Sequence, residues 1–156
     1  MDGNRLKMTR QSLHFPIEEI APIVGEVDVM TWHGWESGSQ PVPKYVEQRL
    51  FEMTEWRRET IKTYVISFKE GESKGYEIFP ILWYDNFEDF SREEGIPGTY
   101  FHVWQSVIAE VMMVFPEKLA LVPFDREDYL KFLNGRTPTA ETRNEWFHRA
   151  ADHVLP

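Results

Sequence analysis

Apolar residues between Lys44 and Glu59 recur at Val46, Leu50, Met53 and Trp56. Spacings of four, three and three place them on one face of an α-helix, and Pro43 sits where a first helical turn tolerates proline. The same period is stronger from Thr99 to Phe115, where Phe101, Trp104, Val107, Ile108, Val111, Met112 and Phe115 share one broad face. His102, Gln105, Ser106 and Glu110 fall on the other face, and Pro116 ends the helix. Residues 16–24 predict a short helix limited by Pro22 and stopped by Gly25. Asp125 caps a helix over 126–133 that Asn134-Gly135 closes. Thr137 and Pro138 open a last helix whose apolar face is Trp146, Phe147, Ala150 and Val154.

Elsewhere the period shortens to two. "EVDVMTW" (26–32) alternates as a strand does. "TIKTYVISF" (60–68) and "YEIFPILWY" (76–84) are β-branched and aromatic, and the glycine-bearing "KEGESKG" between them predicts a hairpin. Pro80 removes a ladder donor, so it requires an edge or a bulge. "LALVPF" (119–124) reads as a short buried strand. Together these elements predict an α+β fold in one domain spanning 1–156, a small, mainly antiparallel sheet packed by several helices. Residues 1–12 lack a clear pattern and are a candidate disordered segment.

Composition narrows the function more than it identifies it. Aromatic residues make up 15% of the chain and cysteine is absent, which removes disulfides, thiolate metal sites and cysteine nucleophiles. No apolar stretch approaches a membrane span, and no apolar block follows Arg5, Lys7 and Arg10, so a cytoplasmic, non-membrane protein is expected. The net charge of −9 divides into −3 for residues 1–78 and −6 for the rest. A field of that sign repels phosphate, so non-specific nucleic-acid binding is not expected and another protein, of basic character, is the expected partner.

Candidate chemistry is sparse. Phosphate-binding glycine loops, dinucleotide fingerprints and hydrolase motifs are absent, and no cofactor or metal is assigned. Glu145 and His148 have the Glu-x-x-His spacing of di-iron bundles but lack a second such pair, so they read as a solvated face with Glu141 and Asp152. His102, Ser106 and Glu110 lie in the wrong order for a triad, since serine stands in the middle, and they read as a polar helix face. "TWHGWESGSQPVP" (31–43) sets Trp32, His33, Trp35 and Glu36 in a turn-like run, as either a core lid or a recognition surface. One tryptophan is expected buried, with Trp35 the more exposed. Asp85, Glu88 and Asp89 form a second candidate surface in an acidic connector. The sequence reading is an acidic, non-enzymatic interaction protein binding a macromolecule or peptide. Its alternatives are a hydrolytic or metal-dependent enzyme using His33 or His148, and a ligand-binding module with an aromatic-lined pocket.

Overall fold

A computed structural model describes residues 1–155. Among them are eight α-helices and two strands, and backbone contacts divide the chain into two compact units. The first comprises Met1–Tyr64 and His102–Val111; the second comprises Val65–Phe101 and Met112–Pro156. Two long helices, α4 (Lys44–Ser73) and α6 (Phe101–Val114), contribute to both.

The first unit opens with α1 (Gly3–Ser12), in the segment read as a candidate for disorder; it is capped by Asp2 and buries Leu6. Next come α2 (Ile17–Ile20) and a π-helical turn, Ala21–Gly25. Pro22 explains the change of pitch: it lacks an N–H and its ring crowds the carbonyl four residues back, so the turn widens. The strand expected over 26–32 is not formed. Instead Asp28 accepts a hydrogen bond from the Thr31 amide and starts α3 (Val29–Glu36). Alternation in "EVDVMTW" therefore reflected a turn and an N-cap, which use the same short polar residues.

Helix α4 starts where the spacing placed it but continues through the segment expected to form the first hairpin strand. Trp56, Thr60, Tyr64 and Phe68 keep a spacing of four, and no glycine or proline intervenes before Gly71. The hydroxyls of Thr54, Thr60 and Thr63 bond the carbonyls four residues earlier, so these β-branched residues are satisfied within the helix. The antiparallel hairpin is thus replaced. In the second unit β1 (Phe79–Trp83) pairs in parallel with β2 (Leu119–Pro123), from Phe79 opposite Leu119 to Trp83 opposite Pro123. A parallel pair needs a long crossover, here α5 (Phe87–Glu94), a 3₁₀ turn and α6. The Phe79 amide bonds the Lys118 carbonyl, so by strand alternation Pro80 faces the open side of the pair, where its missing donor is harmless. Both strands are edges, as the proline demanded.

Helix α7 (Arg126–Leu133) and helix α8 (Ala140–Ala151) complete this unit. Tyr129, Leu133 and Trp146 form a cluster with Leu82, Phe124 and Phe147 around it. The α8 cap is Thr139 rather than Thr137, in a capping box with Thr142, and Val154 lies beyond the helix and exposed. The fold is helix-dominated, and the mainly antiparallel sheet is corrected to one short parallel pair.

Because α4 and α6 contribute to both units, we propose that the chain unfolds as one cooperative domain. Denaturant melts followed by tryptophan fluorescence and by far-UV circular dichroism should coincide. Two separate transitions would contradict this.

Candidate nucleic-acid interface

Two helical segments of the first unit are joined by three residues, 26–28. The π-helical turn that continues α2 ends at Gly25, Glu26 turns the chain through a left-handed conformation (φ 54°), and α3 begins at Val29. Gly25 is required there by packing: a Cβ would stand 2.9 Å from the Trp32 ring. On the other side, a Cβ on Gly3 would lie 2.4 Å from the Glu36 carbonyl oxygen, so the start of α1 presses against the end of α3.

The two faces of α3 differ sharply. Trp32 and Trp35 are buried and pack ring against ring, with centroids 5.5 Å apart. Both tryptophans therefore belong to the core, and the expected exposure of Trp35 is not found. Glu36 is the polar anchor of the buried face, with its side chain only 6% exposed. It accepts hydrogen bonds from Trp32 Nε1 at 2.7 Å and from Arg10 Nε at 2.7 Å. Burial pushes its carboxyl upward, but those two bonds and the charges of Arg10 and Lys7 more than offset it, leaving the group below its ordinary value. Arg10 also donates to the Phe15 carbonyl, so one guanidinium ties α1, the α1–α2 connection and α3 together.

The other face of α3 meets solvent. Met30 is 83% exposed, His33 is exposed and Thr31 is half-buried. After α3 the chain is held tightly: Ser37 Oγ, Ser39 Oγ and the Gln40 amide all donate to the Gly34 carbonyl. Residues 37–43 thus form an organised corner leading to exposed Lys44. Asp28, at the start of α3, is held below its ordinary value by the hydrogen bonds from Thr31.

The other candidate residues lie outside α3. Asp85 accepts from Trp83 Nε1, and Asp89 receives Asn86, Arg92 and Arg126. Glu88 is exposed in the first turn of α5, where negative charge suits the helix dipole. Ser106 is buried rather than on a solvated face; it accepts from Arg57 Nε at 2.9 Å, and the same guanidinium reaches Glu110 at 3.2 Å. His102 contacts Glu19 at 2.6 Å. Glu145 pairs with Arg136, while His148 is exposed near Phe147. Among the described residues no three histidine, aspartate or glutamate side chains are gathered to hold a metal, and no helix is long and apolar enough to cross a membrane.

The model of the Aca2/YdiL-like family matches residues 1–119. A curated protein, the Aca2 repressor of Pectobacterium phage ZF40, is 31% identical over 72 residues, covering 46% of this chain. The matched stretch spans 62% of that repressor's own length. Membership of this family and the likeness to a protein named as a repressor overturn the expectation of a basic protein partner without non-specific nucleic-acid binding. The physical error lay in averaging the charge. Residues 1–64 hold eight basic and ten acidic residues, which is −2 of the total −9. Glu36 and Glu26 are paired with Arg10 and Arg49, and Glu47 with the N-terminal amine, so these carboxylates stand in locally neutral pairs.

Proposed function

Since the chain belongs to the Aca2/YdiL-like family, we propose that it is a transcriptional regulator that binds duplex DNA through a helix-turn-helix formed by α2 with its π-helical continuation and by α3. The carrying observation is the division of α3 into a buried tryptophan face and an outward face bearing Met30, Thr31 and His33. A helix-turn-helix joins its helices by a three- or four-residue turn and lays the second in the major groove, its N-terminal residues toward the base edges. The three-residue turn 26–28 and the position of Met30 and Thr31 at the start of α3 fit that requirement. Met30 offers apolar contact to a thymine methyl, while Thr31 and His33 offer hydrogen-bonding groups to base edges.

Affinity in such a complex comes largely from phosphate contacts, and exposed Arg5, Lys7 and Lys44 are the nearest supply in the sequence of this unit. The acidic remainder of the chain opposes indiscriminate DNA binding, which makes the balance between specific and non-specific affinity steep. Absence of catalytic motifs agrees with a binding role, and the partner class is DNA in place of a basic protein.

Selection from a random pool of double-stranded DNA tests this reading. The chain should enrich a shared sequence, and its affinity for that sequence should fall with salt by a factor set by the phosphates neutralised. Failure to enrich any common sequence at low salt would contradict it.

A further inference from the structure

The second unit carries a cavity of about 490 Å³ between α5, α7 and the start of α8. We propose that this cavity binds a small anion through carboxylate or phosphate oxygens, using Arg92, Arg126 and Arg143. The assignment goes beyond the DNA-binding reading and does not depend on it.

The charge distribution makes the site unusual. Residues 65–156 contain nine basic and sixteen acidic residues, yet three of those nine cations line one hollow. They come from three separate helices, so the convergence is a product of the fold. Arg92 and Arg126 reach the same oxygen of Asp89, at 3.3 and 3.2 Å. One carboxylate oxygen serving two guanidiniums leaves most of their donors without a carboxylate partner at that point. Arg143 is more enclosed, its side chain 12% exposed, and it meets Glu94 at 3.4 Å. Glu94 also accepts from the buried Tyr84 hydroxyl at 2.7 Å, which fixes the carboxylate that positions Arg143.

The wall next to these cations also carries the carboxyls of Glu93 and Glu94, the latter paired with Arg143. Glu93 lines the cavity, and burial raises its carboxyl above the ordinary value, although Arg143 and Arg92 pull the other way. Thr139 adds a hydroxyl at the rim, while Tyr129 and Leu130 give the cavity an apolar side. The volume suits a metabolite-sized ligand, and planar guanidinium forks match carboxylate and phosphate oxygens in pairs.

Titration calorimetry and thermal melts of the full chain provide the test, with inorganic phosphate and succinate as separate probes and sodium chloride matching ionic strength. Saturable binding with a rise in Tm is expected for at least one probe. Phosphate binding alone would identify a phosphate site, succinate binding alone a carboxylate site, and both a site that reads the shared oxyanion. Arg126→Gln, at a half-exposed side chain, should weaken binding at least fivefold without lowering the unliganded Tm. Arg143→Lys keeps the charge but removes the fork, and should weaken it at least tenfold. Absence of saturable binding by either probe would overturn the proposal, as would affinities unchanged in Arg126→Gln.

Discussion

Glu36→Ala should destabilise the fold by about 3–5 kcal/mol, the usual cost of removing one partner from a buried ion pair. Arg10 would be left nearly buried without its carboxylate, and Trp32 Nε1 would lose its acceptor. The loss should appear as a lower denaturant midpoint with helical content kept until unfolding. Glu36→Gln separates charge from shape, because the amide oxygen can still accept one of the two bonds. The pH dependence has a definite sign. A carboxyl whose folded pKa is depressed contributes stability that is fully present above its unfolded pKa, about 4.3 for glutamate. That contribution disappears as pH falls through the lower folded value. The stability gap between wild type and Glu36→Gln should therefore be constant from pH 7 to about 5 and close in stronger acid. A gap independent of pH throughout would show that the charge of Glu36 contributes nothing.

The same network shows what was legible in the sequence. Long helices with a uniform 3.6-residue period were readable, as α6 demonstrates with Phe101, Trp104, Val107, Ile108 and Val111 buried, although Met112, expected on the same face, is 44% exposed. Turn chemistry was readable where the cap stood alone, as with Asp125 before α7. The region 26–43 misled because α3 is only eight residues long and both its tryptophans lie on one face, so neither period is sampled enough to be distinguished. What marks it as helix is the spacing Trp32, Trp35 and Glu36 after an Asp28 cap, with Gly25 just before, and those signals gain meaning only together. The parallel pairing of β1 with β2 was harder still. Strand partners separated by forty residues leave no local trace, whereas a nearby β-branched run in α4 offers a false one. Among the candidate binding residues, His33 keeps an exposed position on α3 whereas Trp32, Trp35 and Glu36 hold the helix in place.

Met30→Ala and His33→Ala should each weaken binding to the selected DNA sequence by about 1–3 kcal/mol, the discrimination carried by a good base-edge contact. Neither side chain is part of the core, so folding stability should change by less than about 0.5 kcal/mol. Lys44→Gln should act differently. Loss of a phosphate contact weakens all sequences nearly alike and lowers the salt slope by about one. The two kinds of variant thus distinguish a helix that reads bases from a surface that only attracts phosphate.

The most direct test of the central claim measures the Met30→Ala/His33→Ala double variant against two duplexes, the selected sequence and a scrambled one of equal length. The account predicts a melting curve like the wild type's, a large loss of affinity for the selected duplex, and little change for the scrambled one. A double variant that keeps wild-type preference for the selected sequence would show that α3 does not read it.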